Sequence, residues 1–232
     1  MKEEIRKREE KCFDFLKAIP INRRYVLVGG YAVSSFHFPR LSVDLDIAIP
    51  EEELKFFEDL LKKQDFVLTD KKSNFDRTYR GRFEKYRKNG KLPVSVDLLI
   101  GSIHARQTNY AYSFDYVFRN SVTREIRGWH PRIRVKARVA DKEMLIGLKI
   151  NSMRSADKRD IIMLCYEKPD ADKIIKHLKD CPKETILQHI KELKNILIDP
   201  KHSDGIKGVF TISDPVLKRA KTNCLNVLEN IS

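Results

Sequence analysis

The chain has 232 residues, 41% of them hydrophobic, enough to bury a core in one large domain or two small ones. Its 46 Lys and Arg against 33 Asp and Glu give a formal charge of +13, which suits a nucleic acid or another polyphosphate and disfavours cationic small molecules, although a lysine-rich soluble surface gives the same sum. Cys12, Cys165, Cys181 and Cys224 form no CxxC pair, the charged N-terminus has no signal-peptide core, and no apolar run reaches membrane-spanning length; a cytoplasmic protein with reduced thiols is expected.

In chain order, Ile5, Cys12, Phe13 and Leu16 recur at helical spacing among charges, which predicts an amphipathic helix over 2–17 ending near Pro20. YVLVGG then reads as a buried strand feeding a tight turn, YAVSSFHF as a short helix, and SVDLDIAIP as a second strand stopped by Pro50. EEELKFFEDLLKK carries its acids in the first turn, as a helix dipole favours. The segment 71–91 holds nine basic and two acidic residues interleaved with Phe75, Tyr79, Phe83 and Tyr86. Its Asn89–Gly90 marks a turn into the strand LPVSVDLLIG. A short helix over 112–119 follows, then two strands, SVTREIRG and RIRVKARV, flanking Trp129, His130 and Pro131.

From Asp141 the period is helical, in five segments, with a glycine-containing loop expected around Asp204–Gly208 between the last two. The reading is therefore an α/β (α+β) chain: a small mixed sheet flanked by helices over 1–139, followed by a helical domain over 140–232.

Asp44 and Asp46 occupy alternate positions of one strand, so their carboxylates emerge on one face. Side by side they repel, and a divalent cation between them removes the cost. A lone DxD also reads as a strand end whose acids pair with Lys or Arg. Three further features favour the metal. Gly29–Gly30 closes a strand and opens a helix, with Gly30 fourteen residues before Asp44, so that backbone N–H groups can approach a triphosphate. Asp97 interrupts the apolar run VSVDLLI, where an acid is costly without a metal or a partner. The intervening length lets that strand lie beside the DxD strand.

VGGYAVSSF, then RLSVDLDIAIP, then the acid of VSVDLLI resemble the nucleotidyltransferase superfamily of the polymerase-β type. The resemblance implies that Asp44, Asp46 and Asp97 are the metal ligands for Mg2+ or Mn2+, with an NTP as substrate and Gly29 and Gly30 beside its phosphates. It also implies that Asp97, nearest the acceptor in that pattern, helps take the hydroxyl proton. The commonest family form has serine after the first glycine; Gly30 stands there, so this chain lacks that hydroxyl for the terminal phosphate. LIGLKINSMRSADKRDIIML resembles the later motif of the AbiEii/MenT-like toxin branch, with Lys149, Met153, Arg159 and Asp160 in the branch's order.

Leu145, Lys149 and Met153 fall on one helical stripe, so the Lys149 ammonium emerges from an apolar face. It reads either as a snorkelling lysine or, with the upstream motif, as a phosphate contact. Arg154 is a second candidate for the nucleotide. Asp160 is expected to pair with Lys149 or Arg154.

The implied reaction moves a nucleoside monophosphate from an NTP to an acceptor hydroxyl. The basic, aromatic segment 71–91 and Arg119, Arg124, Arg127, Arg132, Arg134 and Arg138 favour RNA as acceptor, with Tyr79, Tyr86 or Trp129 stacking on bases. A tRNA 3′ end and a cognate antitoxin protein would suit the toxin resemblance. The alternatives are a small-molecule, aminoglycoside-type nucleotidyltransferase and a catalytically inactive nucleic-acid-binding module. The six histidines form no ligand spacing.

Overall fold

The computed structural model describes residues 2–73, 76, 78–130 and 133–231. It divides into two compact units, residues 1–104 with 111–140, and residues 105–110 with 141–232.

In the first unit, α1 (Lys2–Lys17) buries Cys12, Phe13, Phe15 and Leu16 on one face, with Glu3 and Glu4 in its first turn and Lys17 in its last, as the helix dipole favours. The strand β1 (Val26–Val28) is wholly buried and runs directly into α2 (Gly29–Val33). β2 (Asp44–Ile49) follows, then a 3-10 turn over Glu51–Glu53 and α3 (Leu54–Lys63), whose Phe57 and Leu61 are core residues.

The strands β3 (Val67–Lys72), β4 (Arg82–Lys88) and β5 (Val94–Ile100) come next, with Asn89–Gly90 between the last two. The short strands β6 (Ser102–Ala105) and β7 (Tyr110–Ser113) pair with each other. α4 (Phe114–Arg119) follows, capped by Ser113, whose hydroxyl accepts from the Tyr116 amide. β8 (Ser121–Arg127) and β9 (Arg134–Ala140) close the unit.

The sheet has seven strands in the order β3-β4-β5-β2-β1-β9-β8. Two of its pairings are parallel, β2 with β5 and β1 with β9, and the others are antiparallel, so the sheet is mixed. Leu27, Ile47 and Leu98 are register neighbours across β1, β2 and β5 and are completely buried, so this face is the core. Buried Glu9 on α1 ties the β8–β9 turn by accepting the Trp129 and His130 amides, at 2.7 and 3.0 Å.

The second unit contains α5 (Lys142–Ser152), α6 (Ser155–Leu164), α7 (Ala171–Leu178), α8 (Lys183–Ile198), α9 (Lys201–Phe210) and α10 (Asp214–Ile231). Ile146, Ile150, Ile161, Ile162, Ile174, Leu193 and Cys224 form its core. No helix among the described residues is long and apolar enough to cross a membrane. All four cysteines are buried thiols.

Two local expectations are corrected. The short helix after β1 starts at Gly29 rather than beyond the glycines, because the turn is made by Gly29 itself at φ +71°. The stretch around Asp204–Gly208 is helical rather than a loop. Ile206 and Phe210, four residues apart, bury one face of α9, and that burial outweighs the poor helix propensity of Gly205 and Gly208.

A Cβ at Gly205 meets nothing within 4 Å. Gly205→Ala is therefore expected to raise the urea midpoint, by about 0.5–1 kcal/mol of stability. Ile206→Ala is expected to lower it, by about 2–4 kcal/mol.

Candidate active site

β2 and β5 run parallel with Asp44 opposite Ser95 and Asp46 opposite Asp97. β5 pairs antiparallel with β4, which sets Lys85 opposite Asp97, and β4 with β3, which sets Asp70 opposite Lys85. Register partners point the same way, so Asp46, Asp97, Lys85 and Asp70 form one row across four strands. Asp44, two residues before Asp46, shares their face. The alternate residues Leu45, Ile47, Val96 and Leu98 fill the core behind them. Strict alternation in DLDI and SVDL thus delivers apolar groups to one side and carboxylates to the other.

Asp97 is only 9% exposed. Burial raises its carboxyl above the usual range against the pull of Lys85, and the neighbouring charges of Asp44 and Asp70 push it the same way as burial. The Lys85 ammonium lies 3.0 Å from Asp97 Oδ1 and 3.1 Å from Oδ2, and donates its hydrogen bond to Oδ2. Buried Oδ1 accepts no hydrogen bond among the described residues.

Asp46 leans over the turn. A Cβ on Gly29 would lie 1.9 Å from Asp46 Oδ2, and Gly29 has φ +71°, so both space and backbone require glycine there. The Ser42 hydroxyl lies 3.4 Å from Asp44 Oδ1, as a hydrogen-bond donor.

Carboxylate oxygens from adjacent strands are the hard donor set that Mg2+ or Mn2+ takes, and Asp97 Oδ1 still has an acceptor site to give. In donor chemistry the three residues fit such an ion. They do not form a closed cluster: among the described residues no three His, Cys, Asp or Glu side chains are grouped to hold a metal. The positive charge beside Asp97 is Lys85. Sequence reading missed this lysine because its spacing from Asp97 along the chain carries no information about register across β4 and β5.

In the second unit, α5 ends at Met153, whose φ of 42° turns the chain into α6. Lys149 is 4% exposed, and its ammonium donates to Asp157 Oδ1 at 3.0 Å and Asp160 Oδ2 at 2.7 Å. The pairing of Asp160 with Lys149 follows the sequence reading; Asp157 does not appear in that reading. Asp157 also accepts from Ser152 Oγ at 2.6 Å, the Arg154 amide at 3.0 Å and Arg154 Nε at 2.9 Å. Burial alone would raise the Asp157 carboxyl, but Lys149 and Arg154 outweigh it and hold it well below the usual range. The sequence reading took Lys149 as a phosphate contact; in this structure its ammonium sits between the carboxylates of Asp157 and Asp160. The Arg154 side chain is largely exposed, with its guanidinium on Asp157.

The basic and aromatic residues divide. Tyr79 and Trp129 stand 45% and 43% exposed. Tyr86, expected to stack on bases, is instead 6% exposed, with its hydroxyl donating to buried Glu84 at 2.7 Å, because its β4 parity points it into the core. Exposed Arg124 lies 4.4 Å over the Phe36 ring and half-buried Arg138 4.7 Å over Phe118, so each guanidinium already stacks on a ring of the fold. Arg127 and Arg134 share Glu125, and Arg119 is exposed. Phe75, Pro131 and Arg132 lie outside the described residues.

No protein-family profile matches the sequence, and no curated protein matches it. JHP933 of Helicobacter pylori superposes with a TM-score of 0.54 at 16% identity, over 99% of this chain and 94% of that one. A candidate nucleotidyltransferase from H. pylori superposes with a TM-score of 0.52 at 16% identity, over 99% of this chain and 96% of that one. The cyclic dinucleotide synthase CdnE of Elizabethkingia meningoseptica, solved with GTP and Apcpp, reaches only 0.27 at 9% identity, over 99% and 89%, too low to bear on the fold. The fold is thus nucleotidyltransferase-like: a mixed sheet flanked by helices, followed by C-terminal helices.

The Lys149 triad sets a pH dependence. The folded value of Asp157 lies below its unfolded one of about 3.9. The stability it contributes is complete above the unfolded value and is lost as pH falls through the folded one. The urea midpoint is therefore expected to drop steeply below about pH 4, and less steeply in Asp157→Asn. At neutral pH, Lys149→Ala is expected to cost about 3–5 kcal/mol by removing the buried cation that Asp157 and Asp160 share.

Proposed function

We propose that the protein transfers a nucleoside monophosphate from an NTP to an acceptor hydroxyl, and that the acceptor is RNA. The observation that carries this is the register of Asp46 beside Asp97, with Asp44 on the same face, in a nucleotidyltransferase-like sheet.

Asp44, Asp46 and Asp97 are the residues that would hold Mg2+ or Mn2+, which supplies neutralisation of the triphosphate and of the departing pyrophosphate. The acceptor oxygen forms a bond to the α-phosphorus while the bond from that phosphorus to the β-phosphate's bridging oxygen breaks. Pyrophosphate leaves with the electron pair, and the hydroxyl proton passes, with the help of Asp97, to solvent. The chain's own contribution is positional. The β2–β5 pairing fixes Asp46 beside Asp97, Gly29 gives the Asp46 carboxylate room against the turn, and Lys85 balances Asp97 on the open face. The buried Lys149, Asp157 and Asp160 are assigned to stability of the helical unit.

RNA is favoured over a small cationic acceptor by the +13 charge and by the exposed rings of Tyr79 and Trp129, which suit base stacking. The toxin-branch resemblance adds a cellular expectation: induction arrests growth, and Asp44→Ala with Asp46→Ala abolishes the arrest.

The test incubates the protein with each NTP labelled at the α-phosphate, Mg2+ or Mn2+, and total cellular RNA. Label should reach RNA with the parent protein. Asp97→Asn, or Asp44→Ala with Asp46→Ala, should reduce it on the order of a hundredfold or more, the equivalent of several kcal/mol of lost charge stabilisation. Label moving only to a small acceptor would overturn the RNA assignment. RNA retained on a filter with no label transferred to any acceptor would overturn the catalytic one.

A further inference from the structure

The loop between α2 and β2 is held tightly against the glycine turn. The Tyr31 hydroxyl donates to the Ser42 carbonyl at 3.1 Å, and the Arg40 amide donates to the Ser34 hydroxyl at 3.2 Å. These tethers bring two side chains to Gly30. A Cβ added there would lie 2.4 Å from Ser42 Oγ and 2.7 Å from Arg40 Nη2. Gly30 has no positive φ, so its backbone does not demand glycine; a side chain there would instead have to displace the Arg40 guanidinium and the Ser42 hydroxyl. A serine at this position would have to place its side chain where the Arg40 guanidinium and the Ser42 hydroxyl already stand.

We propose that Arg40, assisted by Ser42, is the contact for the terminal phosphates of the nucleotide, supplying from the loop the donor that Gly30 cannot. This rests on the nucleotidyl-transfer reading above. The chemistry favours the exchange. A guanidinium offers a planar fork of donors and a fixed positive charge to phosphate, where serine offers one neutral hydroxyl. Position favours it too, since Ser42 also reaches Asp44, so the same short segment touches both the glycine turn and the first carboxylate. Arg40 Nη1 lies 3.3 Å from the Leu41 carbonyl, which steadies the guanidinium within its own loop.

The experiment measures equilibrium binding of ATP, GTP, CTP and UTP and of their di- and monophosphates to the full chain, with Ca2+ in place of Mg2+. The parent should bind its preferred triphosphate more tightly than the corresponding monophosphate. Arg40→Ala should weaken the triphosphate by about tenfold to a hundredfold and leave the monophosphate unchanged. Arg40→Lys should recover part of the loss, because it keeps the charge without the fork. Thermal melts of Arg40→Ala and Arg40→Gln serve as the check on folding; if Arg40→Ala melts early, the same affinities are read from Arg40→Gln. Equal weakening of tri- and monophosphate, or no weakening, would overturn the assignment of Arg40 while leaving the activity in place. No nucleotide binding by the parent itself would overturn the underlying reading as well.

Discussion

The pairing of β2 with β5 is the constraint on which the candidate site depends. Neighbouring strands stand about 4.8 Å apart, and two carboxylates at that spacing repel by about 3 kcal/mol at an effective dielectric of about 20. Asp46 and Asp97 are register partners in that pairing, and Asp97 is nearly buried. The strands stay paired because the face behind them carries Leu45, Ile47, Val96 and Leu98, all fully buried, and because a one-residue slip would bring those side chains to the open face and the acids to the core. The hydrophobic side of the sheet thus enforces an electrostatic arrangement that the carboxylates would not adopt by themselves.

That enforced arrangement explains much of its surroundings. A parallel pair needs a long connection, and the chain supplies one by laying down α3, β3 and β4 between β2 and β5. β4 then returns on the far side of β5 and places Lys85 opposite Asp97. On the other side, β1 runs straight into Gly29, the residue that leaves room for the Asp46 carboxylate. The Asp46–Asp97 pair is flanked by one lysine and one glycine, the first to offset charge and the second to remove bulk.

Much of this was legible in the sequence, and the exceptions share a cause. The first helix, the Asn89–Gly90 turn and the strands bearing Asp44, Asp46 and Asp97 are local in origin, set by periodicity and turn chemistry over a few residues. Lys85 was invisible because it joins Asp97 through register between strands. Tyr86 was misread because aromatic and basic residues alternating along β4 look the same whichever parity faces the core; the hydroxyl bonded to buried Glu84 settles the direction. Helix α9 was missed for the same reason in reverse, since Gly205 and Gly208 speak against a helix locally and only the burial of Ile206 and Phe210 restores it.

The two lysine–carboxylate groups show how burial separates structure from chemistry. Lys149 is enclosed with Asp157 and Asp160, every charge answered at hydrogen-bond distance, and the Asp157 carboxyl is held down as an anion. Such a cluster ties α5 to α6. Lys85 is only partly covered, it faces two carboxylates in its row besides Asp97's neighbour Asp44, and Asp97 is pushed toward its protonated form in spite of it. Asp70 in that row is itself paired with Lys72 at 2.9 Å, and Lys85 stands on the open face between it and the carboxylate of Asp97. Hard oxygen donors gathered on the open face by strand register and burial are what the proposed divalent ion would use, whereas the Lys149 cluster is closed by its own charges.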